Sequence, residues 1–112
     1  MDVRVTSRDV GPRTVVEVDG EIDVSSADAL RDQLSELLER DRTDLVIDLR
    51  AVRFMDSTGL GVLVGALKRV RSNDGDLFLV CTQPRIRKVF EVTGLTKVFS
   101  LFDSVDDAVA AA

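Results

Sequence analysis

Apolar residues change their period several times along the chain, and each change marks an element. Residues 3–7, Val-Arg-Val-Thr-Ser, alternate like a half-buried strand. Gly11-Pro12 punctuates, and Thr14 to Val18 predicts a second strand. The short spacing favours an antiparallel hairpin, because a parallel crossover ordinarily needs a helix. Asp19-Gly20 ends this strand, and Glu21-Ile22-Asp23-Val24 is expected as a loop with one apolar anchor. Ser25 or Ser26 is placed to cap a helix, Ser25 with Asp28 loosely resembling a capping box. Ala27, Leu30, Leu34, Leu37 and Leu38 make its buried stripe.

Leu45 to Leu49 is a near-continuous apolar run, the pattern of a strand buried on both faces. A short connection reaches Asp56-Ser57-Thr58-Gly59, and from Leu60 the period becomes helical. Leu60, Leu63, Val64, Leu67 and Val70 fall on one stripe. Ser72-Asn73-Asp74-Gly75 stops that helix, and Leu77 to Cys81 predicts another buried strand. Pro84 suits the first turn of a third helix, with Ile86, Val89 and Phe90 inward and Gly94 just past its end. Val98 to Leu101 is expected as a last strand. Ser104 is expected to cap a terminal helix, Val105 to Ala111, whose alanines favour helix but bury little.

The order β-β-α-β-α-β-α-β-α predicts an α/β fold: a mixed β-sheet with a parallel centre and an N-terminal hairpin, covered by about four helices. Residues 1–112 read as a single domain without repeat or linker, long enough to bury about two-thirds of its unfolded surface. The strand-to-helix junction at Ser57 falls at a carboxyl end of the parallel strands, the usual edge for sites in open α/β sheets. There Ser57 is expected to be an N-cap. Unsatisfied first-turn N–H groups and the helix dipole make the same spot receptive to a phosphate.

Composition narrows the chemistry. Hydrophobic residues at 45% and charged residues at 31% describe a globular rather than a disordered chain. A net charge of −5 argues against nucleic acid as a partner. Met1-Asp2-Val3-Arg4 leads directly into alternation without a signal-peptide pattern, and no apolar run is long enough to span a bilayer, so no membrane association is expected. The single cysteine, Cys81, cannot close an internal disulfide, which suits a reducing cytoplasm.

The chain has no histidine, so a nucleophilic Ser57 lacks its usual base, and the nearest lysine, Lys68, is more than two helical turns away. Gly-x-Ser-x-Gly is absent. Asp56 as a phosphoacceptor would need further carboxylates after the first strand to hold magnesium, and an acidic pair is missing there; it is expected as a turn residue. No metal-ligand spacing and no phosphate-cradling loop is present, so no cofactor is expected. Gly59 and Gly61 are expected either to permit close packing of the helix start or to leave a flat surface for a partner. Lys68-Arg69-Arg71 and Arg85-Arg87-Lys88 are expected as solvated faces. An exposed serine without catalytic machinery suits a switch set by another protein's enzyme.

Phe54-Met55-Asp56-Ser57-Thr58-Gly59-Leu60 resembles the signature of bacterial anti-sigma factor antagonists, the small stand-alone members of the STAS domain family. The resemblance runs from about Val3 to Val109 and includes Gly20-Glu21-Ile22-Asp23 and Thr93-Gly94-Leu95-Thr96-Lys97-Val98-Phe99. It implies a protein without enzymatic activity, active in partner switching during sporulation, stress response or development, rather than a domain fused to an anion transporter. Ser57 stands where the family is phosphorylated by its anti-sigma factor, a serine kinase of the histidine-kinase-like fold. The resemblance implies that the unphosphorylated form binds that kinase and frees a sigma factor. A PP2C-type, metal-dependent serine phosphatase reverses the modification. Asp23 and Asp56 match positions near this partner-binding surface, and Thr58 is a minor acceptor candidate. A monomer is the expected state. The alternative is a constitutive scaffold in a larger signalling assembly, with Ser57 only a cap.

Overall fold

The computed structural model describes residues 2–111; Met1 and Ala112, the ends of the expected single domain, lie outside them. Strand β1 (Val3–Val10) turns through Gly11-Pro12 into β2 (Arg13–Ile22), and the two pair antiparallel with Val10 opposite Arg13. So tight a connection needs a positive φ, which Gly11 adopts at 59°. Helix α1 (Ala27–Glu39), β3 (Asp44–Met55), α2 (Ser57–Ser72), β4 (Asp76–Val80), α3 (Pro84–Val92), a 3₁₀ turn (Leu95–Lys97), β5 (Ser100–Phe102) and α4 (Val105–Ala110) follow. The expected mixed α/β architecture and element order are therefore present.

The five strands lie in the order β1-β2-β3-β4-β5, with β2 to β5 mutually parallel. Right-handed crossovers that advance in one direction put every crossover helix on the same face. Accordingly Leu30 and Leu34 of α1, Leu63 and Leu67 of α2, and Ile86 and Phe90 of α3 share one core with Val16, Val18, Leu45, Ile47, Leu49, Leu77 and Leu79 of the strands. The opposite face is covered over only part of its area, by α4.

Several boundaries differ from the sequence expectations, each for a physical reason. β2 does not end at Asp19-Gly20 but continues to Ile22, so residues 21–22 are strand rather than loop. Gly20 permits this: at φ 120° it lets β1 approach so closely that a Cβ would lie 2.2 Å from the Asp2 carbonyl oxygen. β3 extends beyond Leu49 to Met55 because it pairs with the end of β2 through two register shifts, which break the period-two pattern that would have announced it. β5 begins at Ser100 instead of Val98; Phe99, just before it, is buried and meets Phe90 edge-on at 5.8 Å between ring centroids.

The expectation that α4 buries little is wrong. Ala108 is fully buried and Val105 nearly so, against Val15, Val46, Phe78 and Val80. Arg13 holds the helix there. Its Nε and Nη2 donate to the carbonyls of Val109 (3.3 Å) and Ala111 (2.6 Å), and its guanidinium lies 4.5 Å from the Phe78 ring centroid.

The uncovered part of that face is a charged groove of about 530 Å³, lined by Arg4, Thr6, Glu17, Asp19, Asp48 and Arg50 among others. Asp48, buried in β3, accepts from Arg50 N (3.1 Å), Nε (2.9 Å) and Nη2 (2.8 Å). Burial acts to raise its pKa, but the hydrogen bonds and charge of Arg50 outweigh this and hold it below the ordinary 3.8. A depressed carboxylate stabilises the fold above its unfolded value, and the contribution fades as pH falls through the folded one. Asp48→Asn is expected to cost about 1 kcal/mol at pH 7, Arg50 being half exposed. That deficit should shrink below pH 3.8, as read from urea midpoints of both proteins at neutral and acid pH.

Candidate functional site

Two aspartates open two helices at the carboxyl edge of the sheet. At the end of β3, Asp56 is still extended (φ −108°, ψ −172°), and its Oδ1 accepts from Thr58 N (2.9 Å) and Gly59 N (3.3 Å). Its own N–H donates to the Ile22 carbonyl at 3.2 Å, tying the ends of β2 and β3 together. Asp56 is therefore the N-cap of α2, and Ser57, expected as the cap, is the first helical residue with its side chain exposed. Both types cap well, so propensity does not choose between them; the choice is made by where β3 stops.

The same arrangement corrects the expectation of an open anion site. Of the four N–H groups that a helix start leaves without an intrahelical acceptor, those of Asp56, Thr58 and Gly59 already have one. The carboxylate of Asp56 occupies the place a phosphate would take.

At the start of α1, Asp23 follows Ile22 and so stands beside the Asp56 junction. Its Oδ1 accepts from Ser25 Oγ (2.7 Å), Ser25 N (2.9 Å) and Ser26 N (3.1 Å). These bonds, that from the Ser25 hydroxyl foremost, lower its pKa and keep it ionised. Ser26 occupies the N-cap position without a side-chain cap, its hydroxyl instead accepting from Asp23 N (2.9 Å) and lying 2.6 Å from the Glu21 carbonyl oxygen. The loose box between Ser25 and Asp28 does not form; Ser25 turns back to Asp23 and Asp28 pairs with Arg31.

The two glycines divide the roles expected of them. Gly59 is buried, and a Cβ there would come within 2.7 Å of Ile22 Cγ2 and 2.9 Å of Met55 Cγ, so it lets α2 settle onto the strand ends. Gly61 is exposed with nothing within 4 Å of a Cβ, and Gly65, one turn on, is the same. Ser57, Gly61 and Gly65 thus form a low stripe along the exposed side of α2. Thr58 is half-buried behind Ser57.

Two apolar side chains missed in the sequence flank this edge: Val24, 76% exposed, and Phe54, 43% exposed. Their signal was present, since each is a large apolar residue adjoining a polar turn, but exposure follows only from the paired strand ends. The lining of the charged groove on the opposite sheet face does not include Asp23 or residues 54–59. The strand order never reverses, so no switch point opens between crossovers on opposite faces. Among the described residues no cluster of acidic, histidine or cysteine side chains could hold a metal ion, and no helix is long and apolar enough to cross a membrane.

Gly59→Ala is expected to lower stability by about 1–3 kcal/mol through overpacking. Gly61→Ala is expected to raise it by about 1 kcal/mol, because a mid-helix glycine is replaced at no steric cost. Denaturant midpoints of the two variants should move in opposite directions.

Known proteins share this fold. The family model for the STAS domain matches residues 1–108. The anti-sigma-B factor antagonist of Bacillus subtilis (strain 168) is 41% identical over 101 residues, covering 90% of this chain and 88% of that protein. The crystal structure of an anti-sigma factor antagonist from Mycobacterium paratuberculosis matches with a TM-score of 0.88 at 34% identity, over 96% of this chain and 91% of that one. The phosphorylated form of the Bacillus cell fate determinant SpoIIAA shares the fold, with a TM-score of 0.73 at 23% identity over 95% and 96% of the two chains. The element order, the Asp56-Ser57 junction and a family match spanning nearly the whole chain make this protein a member of the STAS domain family.

Proposed function

We propose that this protein is an anti-sigma factor antagonist in which the phosphorylation state of Ser57 sets binding to an anti-sigma factor. The observation that carries this reading is the exposed Ser57 hydroxyl, released from capping by Asp56, on a shallow edge suited to a protein partner. The names of the Bacillus subtilis and Mycobacterium paratuberculosis relatives support the antagonist role. The chain supplies no histidine to activate the serine. The resemblance of the Asp56-Ser57 motif to the family signature supports a phosphate donated by the anti-sigma factor, itself a serine kinase of the histidine-kinase-like fold. A PP2C-type phosphatase removes it. The setting is the cytoplasm, and the protein acts as a binding component without catalysis of its own.

The physics of the switch follows from the occupied cap. A phosphoserine adds about −1.5 to −2 charges. With Thr58 N and Gly59 N already bound to Asp56, the helix start has little left to neutralise it, and the phosphate stands beside a carboxylate facing outward. A partner seated on Ser57, Gly61 and Gly65, with Val24 and Phe54 as apolar rim contacts, would bury that uncompensated charge, which costs several kcal/mol. The fold carries no such penalty, because the group points to water in the free protein.

Phosphosite mapping by mass spectrometry, with ATP and with or without lysate of the source organism, tests the acceptor. One phosphate on Ser57, only with lysate, is the expected result; Thr58 is a minor acceptor. Ser57→Asp should weaken anti-sigma factor binding at least tenfold while Ser57→Ala binds but accepts no phosphate. Gly61→Ala, though more stable, should also bind more weakly. Equal binding by the Asp and Ala variants of Ser57 would sink the switch and leave the constitutive scaffold.

A further inference from the structure

Strand β3 outruns its neighbour. β4 accompanies it only from Asp44 to Asp48, so Leu49 to Met55 is paired to β2 alone, and that pairing has register shifts between Glu17 and Asp19 and between Gly20 and Glu21. A bulged segment with one open edge exposes backbone carbonyls and is among the first parts of a sheet to fray. Yet this segment carries Phe54, Asp56 and Ser57 at its end.

Gln83 stands on the open edge. It occupies the N-cap position of α3 (φ −74°, ψ 123°), where a short polar side chain would ordinarily satisfy the helix start, but it makes no side-chain cap. Its Nε2 donates instead to the carbonyls of Arg50 (2.6 Å) and Val52 (2.8 Å). Both partners are acceptors, so the amide must present its nitrogen, and its two protons match the two carbonyls. Arg50 and Val52 are alternate residues of one strand edge, so one side chain replaces two bonds of the ladder that β4 no longer makes.

Gln83 is itself fixed. Pro84 restricts it to extended backbone. Arg87, one turn into α3, donates to the Cys81 carbonyl (2.7 Å) and pairs with Asp103 (3.3 Å), which holds the 81–83 connection in place.

We propose that Gln83 is a positioning residue for the Ser57 edge: its two side-chain hydrogen bonds hold the bulged end of β3 and so fix where Phe54, Asp56 and Ser57 stand. The consequence for signalling rests on the function proposed for Ser57, but the clamp does not.

The test uses the purified protein without any partner. Gln83→Leu keeps bulk and removes both donors. Gln83→Glu is nearly isosteric and sets a carboxylate against two carbonyls. Gln83→Lys restores a donor. Amide hydrogen exchange followed by NMR is expected to accelerate at least tenfold at Asp56, whose N–H is bonded to the Ile22 carbonyl, in the Leu and Glu variants, with shifted amide resonances at Asp56, Ser57 and Thr58. Leu45, Ile47 and Leu79, in the centre of the sheet, should exchange as in the parent, and the Lys variant should recover most of the protection. Unchanged exchange at Asp56, or acceleration spread evenly over the whole sheet, overturns the proposal. If a variant does not fold, the parent decides. A through-hydrogen-bond coupling from the Gln83 side-chain amide to the carbonyl carbons of Arg50 and Val52 is required, and its absence is fatal. A silent Ser57 in phosphosite mapping would remove the switch and leave the clamp standing, so the two failures are distinguishable.

Discussion

The pairing of β2 with β3 is the contact on which the other elements depend, because both strands bury apolar side chains on the helical face and each has a neighbour on its other side. β2 is the antiparallel partner of β1 and the parallel partner of β3, and its Val16, Val18 and Ile22 meet α1 and α2 in one core. At its end the Ile22 carbonyl receives the Asp56 N–H, so the strand pair that organises the core also positions the candidate site. Asp23 follows Ile22 and Asp56 follows Met55, and Ile22 and Met55 are register partners. The two acidic helix starts are neighbours for that reason.

A sheet whose parallel strands advance without reversing puts its crossover helices on one side and leaves the other to whatever follows β5. Six residues of α4 cover Val15, Val46, Phe78 and Val80, and Arg13 bonds the end of that helix. The rest of the face is left to compensating charge: Arg50 with Asp48, Arg8 with Glu17, and Arg53 with Asp19 and Glu21. Such exposed pairs contribute little individually to stability.

At the carboxyl edge, capping falls to Asp56 and the proposed phosphorylation to its neighbour Ser57. Asp56 satisfies most of the helix start, which leaves the Ser57 hydroxyl without a capping role and the first turn with few spare N–H groups to absorb added charge. Gly59 is required by packing, whereas Gly61 and Gly65 weaken α2 without any steric need inside the domain. A cost that nothing within the fold explains is consistent with a surface shaped for something outside it.

Period and punctuation by themselves determined the element order, the mixed sheet, the helix stripes and the position of Asp56-Ser57 at a strand-to-helix junction, because those depend on residue spacings of two and 3.6 and on local turn chemistry. The aspartate-serine motif further pointed to a switch. Tertiary structure alone decided the rest. The second half of β3 and the end of β2 pair through bulges, which scramble the alternation that marks a strand, so residues 21–22 and 50–55 resembled loop. Asp56 prevailed over Ser57 as cap because β3 runs on to Met55 and the helix begins directly after Asp56, one residue earlier than a cap at Ser57 would allow. The burial of α4, the clamp from Gln83 and the exposure of Phe54 join residues many positions apart, and no local pattern encodes a distance that only the folded sheet creates.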